Sequence, residues 1–219
     1  MNMLRLFYFA GIFFYLYLPI SVLIVNAFNL NKYGMKWDGF TFKWFTAMLE
    51  NHSLMEAARH SMVIALCAAT LATIIGALAA IGLNRYRFVG RKIFKGTSMT
   101  LMMAPDIILA IAFLVLFVTL GISLGFWSLL FSHITFCLPF AIMTITGRLQ
   151  DFDPNTLDAA RDLGASEKNI LTRVILPMMR PALISSWLLA FTLSLDDVII
   201  SSFVTGPSYD VLPLKIFSM

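Results

Sequence analysis

Long apolar runs alternate with short polar links along most of the chain. Five runs, residues 6–28, 62–83, 98–120, 126–147 and 182–204, are each long enough to cross a hydrocarbon core of about 30 Å as a helix. Pro19, Pro105 and Pro139 lie inside runs. Each frees a backbone carbonyl and is expected to kink its helix, which a neighbouring helix or a wet cavity can tolerate. The pattern predicts an all-α transmembrane protein. A short helix over 54–60 is expected to lead into the second run.

Composition agrees with the pattern. Of 219 residues, 59% are hydrophobic and 13% charged, with 20 Phe and 13 Met, against about 25% charged residues in a soluble domain. Cys67 and Cys137 fall inside apolar runs, which disfavours both a disulfide and a metal site, and they read as small packing residues. The first run is too long for a signal-peptide core and lacks a small-x-small cleavage site, so it reads as a retained span.

The net charge of +4 reads as topology. The link 84–97 carries Arg85, Arg87, Arg91, Lys92 and Lys95 without an acid, which marks it as cytoplasmic. Arg5 puts the N-terminus on the same side, and the link 151–181 follows it there. The segment 29–61 then lies outside. It holds four basic residues of its own, so the contrast with the inner link is one of density. Its aromatics Trp37, Phe40 and Trp44 fit two readings, an interfacial belt or a docking surface for an external protein.

The longest strongly charged stretch is 153–177. Asp153 followed by Pro154 is a helix start, an acidic N-cap before a proline in the first turn. Leu157, Ala160 and Leu163 follow at helical spacing, and Gly164 stands where a C-cap wants positive φ. Ser166 can cap a second helix with Ile170, Leu171, Val174 and Ile175 on its apolar face, and Pro177 is expected to end it. The first helix is poorly suited to lipid, because its apolar face is short and its charges are mixed. Its small residues suit a groove on a partner protein.

Asp158-Ala159-Ala160, Gly164 and the run Val174, Ile175, Leu176, Pro177 resemble the EAA loop of ABC-importer permeases, which reads E-A-A, three residues, G, nine residues, I-x-L-P. The spacing matches throughout, with Asp158 for the glutamate and Val174 for the isoleucine. Residues 33–44, 125–140 and 191–216 extend the resemblance, over essentially the whole chain, to the spermidine/putrescine permeases of that family. The resemblance implies a single permease domain over 1–219 with the type I ABC importer fold. That fold has six spans, so the chain is expected to stop before the last. It further implies that the loop docks into a cleft of an ATP-hydrolysing subunit. The implied partners are a second permease, two ATP-binding subunits and a periplasmic polyamine-binding protein, in a bacterial inner membrane. ATP and magnesium would belong to the partners. No G-x-x-x-x-G-K-[ST] phosphate loop occurs in this chain, and no catalytic constellation is evident. His52, His60 and His133 are far apart and read as solvated or internally satisfied.

Asp106, Asp196 and Asp197 lie within apolar runs that contain no Lys or Arg, and a central membrane aspartate costs about 2.5–3.5 kcal/mol to insert. If the runs were straight helices, Asp106 and Asp196 would straddle the bilayer midplane roughly 9 Å apart in depth, a stagger suited to an extended polycation. Adjacent helical residues point about 100° apart, so only one of Asp196 and Asp197 is expected to face a pathway. The competing expectation is a secondary transporter or channel in which the same acids relay small cations.

Overall fold

A computed structural model describes residues 3–34, 36–207 and 209–219, apart from the side chains of Leu4 and Pro154. The described residues form helices only, with a single isolated β-bridge between Asn29 and Phe40. They group into two units, Met1–Met55 and Glu56–Met219.

The first unit contains α1 (Met3–Ala27) and α2 (Lys43–Glu50). The α1 helix is apolar around its whole circumference, as a lipid-facing span requires, and continues through Pro19. Between the helices, buried Asn29 organises the link. Its amide donates to the Lys36 carbonyl at 2.8 Å and its side-chain oxygen accepts the Asn31 and Asp38 N–H groups. Phe28 stacks on Phe40 at 5.2 Å and meets Phe42 and Phe45 edge-on or tilted.

The second unit is built on α3 (His52–Arg85), α6 (Phe126–Gln150) and α9 (Leu176–Leu195). A helix separate from the second span is not formed at 54–60: α3 is continuous over 34 residues, about 51 Å at 1.5 Å per residue. Ala65, Ala68, Ala69, Ala72 and Ala80 are fully buried along one α3 face. A Cβ added at Gly76 would stand 2.8 Å from the Ala141 Cβ on α6. Small residues let helix backbones approach closely where no hydrophobic driving force separates lipid from protein.

The third run is not one straight helix. It is split into α4 (Arg91–Met103) and α5 (Asp106–Thr119), bent by 111°. Pro105 is the cause, because its ring disfavours helical backbone at the preceding residue, and Ala104 is extended at φ −69°, ψ 137°. Pro139 sits inside α6 without such a break. Among the described residues, four helices are long and apolar enough to cross a membrane, or five if the bent pair is one span.

The fifth run also departs from expectation at both ends. At its C-terminal end, α9 stops at Leu195 and a new helix, α10 (Ile199–Val204), begins after Asp196-Asp197-Val198. At its start, Pro177 does not end the preceding helix. Instead α8 (Glu167–Asn169) passes through a π-helical stretch, Ile170–Ile175, directly into α9. The Leu176 N–H donates to the Leu171 carbonyl, a wider turn that accommodates a proline ring lacking its own N–H. The result is one rod, Glu167–Leu195, of 29 residues, about 43 Å long. A last helix, α11 (Leu212–Phe217), closes the described fold.

Candidate functional site

The rod has a charged break at each end. At its N-terminal end stands α7 (Pro154–Asp162), whose N-cap Asp153 accepts the Asn155 N–H at 2.9 Å. Gly164 terminates α7 at φ +76°. The Ala165 N–H reaches back to the Ala160 carbonyl at 3.0 Å and the Gly164 N–H to the Arg161 carbonyl at 2.8 Å. Those two bonds are the Schellman pattern that satisfies the orphan carbonyls of a helix end. Ser166 Oγ then accepts the Asn169 N–H and starts the rod.

Charge closes the same corner. Arg161 pairs with Asp158 at 2.8 Å and lies 3.5 Å from Glu167. Arg85, at the C-terminal end of α3, pairs with Glu167 through its guanidinium. The hydrogen bond from Arg85, with Arg161 adding to it, holds the Glu167 carboxyl below its ordinary pKa. Arg85 was legible in the sequence only as topology, since its partner is 82 residues away.

The motif residues divide between two surfaces. Leu157 and Ala160 turn inward, against a core of Ile81, Ile145, Leu149, Ile170 and Ile175. Asp158 and Ala159 are exposed, and Leu163 is 88% exposed. The exposed surface of α7 is mixed, with Asn155, Thr156, Asp158, Ala159, Arg161 and Asp162, and Leu163 is exposed just past the helix end. Val174, Leu176 and Pro177 are half-buried on the rod, so they carry the connection from the corner into α9 rather than the outward face.

The three membrane acids have different fates. Asp106 is exposed in the first turn of α5, beside the 111° bend. Asp196 is exposed at the C-cap of α9. Both belong to helix breaks, so neither sits on the straight helix from which the depth stagger was reckoned. Asp197 is turned inward, its side chain 6% exposed. Its carboxylate accepts the Ile200 N–H at 3.2 Å and the Ser201 N–H at 2.7 Å, capping α10. It also lies 3.6 Å from His133 Nε2. The carboxylate that faces helix groups is Asp197, which leaves Asp196 facing outward. His133 is internally satisfied, as expected, with Ser194 and Ser201 as partners that were not foreseen. The available signal was a histidine within an apolar run and two serines flanking the acid pair.

In the outer link, Trp37 and Phe40 are exposed. Trp44 is half-buried, and its indole N–H donates to the Asn29 carbonyl at 2.8 Å. Trp44 thus builds the link, while Trp37 and Phe40 are its displayed aromatics.

Comparison with known proteins follows the same outline. The family described as "Binding-protein-dependent transport system inner membrane component" matches residues 72–217. The "Spermidine/putrescine transport system permease protein PotC" of Escherichia coli (strain K12) is 56% identical over 218 residues, covering 100% of this chain and 83% of that protein. PotC of Haemophilus influenzae is 54% identical over 208 residues, covering 95% of this chain and 81% of that protein. The "Putrescine transport system permease protein PotI" of Escherichia coli (strain K12) is 39% identical over 214 residues, covering 94% and 76%.

Proposed function

This chain belongs to the family of binding-protein-dependent transport system inner membrane components, and from that premise we propose that it is the permease subunit of an ATP-driven importer of polyamines. Spermidine and putrescine are the substrates named for its relatives. The observation that carries the reading to this chain is the pair of exposed carboxylates, Asp106 and Asp196, at helix breaks inside apolar runs that hold no Lys or Arg. An ammonium group passing those breaks supplies the counter-charge that each acid otherwise lacks.

The chain has no phosphate loop of its own, and its work is transmission. The outward face of α7, with Leu163 at its tip, is the docking surface for an ATP-binding subunit, and ATP with magnesium belongs to that subunit. Movement at α7 passes through the Gly164 turn and the Arg85–Glu167–Arg161 corner into the rod. The rod delivers it about 43 Å away to the break that displays Asp196. A second permease completes the pathway, and an external polyamine-binding protein delivers substrate to the side carrying Trp37 and Phe40. The N-terminus and α7 face the cytoplasm. An ion-coupled carrier, the competing expectation, has no use for an outward docking face on α7.

The test is uptake of labelled spermidine and putrescine into vesicles containing the reconstituted complex. Uptake is expected only with the binding protein outside and ATP inside. Uptake without ATP, driven by an ion gradient, would overturn the reading.

A further inference from the structure

His133 is 1% exposed on α6, and its ring is engaged from both sides of the break between α9 and α10. Nδ1 lies 2.7 Å from Ser194 Oγ in the last turn of α9, and Nε2 lies 3.1 Å from Ser201 Oγ in α10. Nε2 also faces the Asp197 carboxylate at 3.6 Å, and that carboxylate already caps α10. A neutral imidazole has one donor and one acceptor nitrogen, and a serine hydroxyl can answer either. One rigid ring on a third helix therefore ties together two helix ends that backbone hydrogen bonds no longer join.

Asp196 sits between the two tied points, two residues after Ser194 and five before Ser201. Its neighbour Asp197 is held inward, and successive residues diverge in direction, so fixing Asp197 fixes where Asp196 points. In an apolar surrounding the broken backbone gains little from water, and unsatisfied groups there are costly. Side chains must set the shape of the break.

We infer that His133 is a positioning residue for transport: by bridging Ser194 and Ser201 across the break it sets the direction in which Asp196 presents its carboxylate to the cationic substrate. This rests on the pathway role proposed above for Asp196. His133 itself is buried and need not touch substrate.

The experiment reads the position of residue 196 directly. In the reconstituted complex, Asp196→Cys is labelled with a cationic methanethiosulfonate reagent, and the labelling of the parent, which carries Cys67 and Cys137, is subtracted. His133→Leu fills the space without hydrogen-bonding atoms and is expected to change the labelling rate at position 196 roughly tenfold, the equivalent of one buried hydrogen bond. His133→Gln keeps an amide near the Nε2 position and is expected to stay within about threefold of the histidine protein, having kept one of the two ties. Ser194→Ala and Ser201→Ala remove one tie each with less risk to folding and should shift the rate in the same direction. Unchanged labelling in His133→Leu and in both serine variants would overturn the inference, as would equal effects of His133→Leu and His133→Gln. Wild-type uptake by Asp196→Asn would instead overturn the pathway reading, whatever the labelling result.

Discussion

The two breaks at the ends of the rod, at residues 163–166 and 196–198, are held in different ways. The first is held by its own sequence. Gly164 takes positive φ, the Schellman bonds close within six residues, and Ser166 restarts the helix. Its Arg161 pairs are exposed and work in a high dielectric, where such pairs contribute little, while Arg85 adds a tie from the mostly covered end of α3. The second break has a local cap, Asp197 on the Ile200 and Ser201 N–H groups, and is tied further from afar by His133 on α6, 61 residues from Ser194 and 68 from Ser201. The first break can be re-formed by any chain carrying its local signals. The tie across the second forms only when α6 is packed beside it, which suits a site whose shape must change with the helices around it.

If the second break serves a cation pathway, its outward acid should matter most to transport. Asp196→Asn is expected to lower polyamine uptake about ten- to hundredfold, the range for losing a hydrogen bond to a charged group, with assembly of the complex unchanged. Asp106→Asn should act in the same direction. Normal uptake in both would remove the functional half of the contrast.

The structural half is sharpened by the two capping aspartates. Asp197→Ala strips two N–H groups of α10 of their acceptor and leaves His133 facing an empty position. The expected loss of stability is about 2–3 kcal/mol, since buried groups left unsatisfied lose their full desolvation penalty. Asp153→Ala removes one exposed cap contact and should cost about 1 kcal/mol. Thermal unfolding of the purified complex measures both. Equal shifts would mean that the buried cap of α10 contributes no more than the exposed cap of α7.

That same difference explains what could be read in advance. The turn at Gly164 was legible because glycine, serine and proline signals act within a few residues. The apolar runs were legible because periodicity and length are local. The bend at Pro105 was underestimated: a proline inside an apolar run can be absorbed, as Pro139 is in α6, or can break the helix, and the neighbours decide. The rod was missed because Pro177 looks like a stop, while the π stretch before it carries the helix through. The fates of Asp196 and Asp197 could be separated only as one inward and one outward, because the inward partner, His133, comes from another helix.

Gly164 gives a smaller and more local effect. With φ at +76°, a β-branched residue there is strained by about 1–2 kcal/mol. Gly164→Val is expected to weaken stimulation of the ATP-binding subunit by substrate-loaded binding protein roughly tenfold. Gly164→Asn, which tolerates the left-handed region, should retain most of it. Normal stimulation in the valine variant would show that the corner does not transmit through this turn.

The smallest effect belongs to the Arg85–Glu167–Arg161 corner, and its pH dependence has a definite sign. Hydrogen bonding from Arg85 holds the Glu167 carboxyl below its ordinary pKa, so the folded protein binds a proton there less readily than the unfolded chain. The contribution is fully present above the ordinary glutamate value of about 4.3. It is lost as pH falls below that value through the lowered one. Glu167 is mostly exposed, with its side chain 63% accessible, and solvent and salt screen the pair. Glu167→Gln should therefore leave stability nearly unchanged at high salt, and at low salt it should flatten the small acid-side decline expected of the parent. Arg85→Gln should reproduce that flattening, because it removes the cause of the shift rather than the acid. If Arg85→Gln left the acid-side decline intact, the corner would owe its charge to Arg161 alone, and the tie between α3 and the rod would lie in the apolar packing of Ile81 against Ile175.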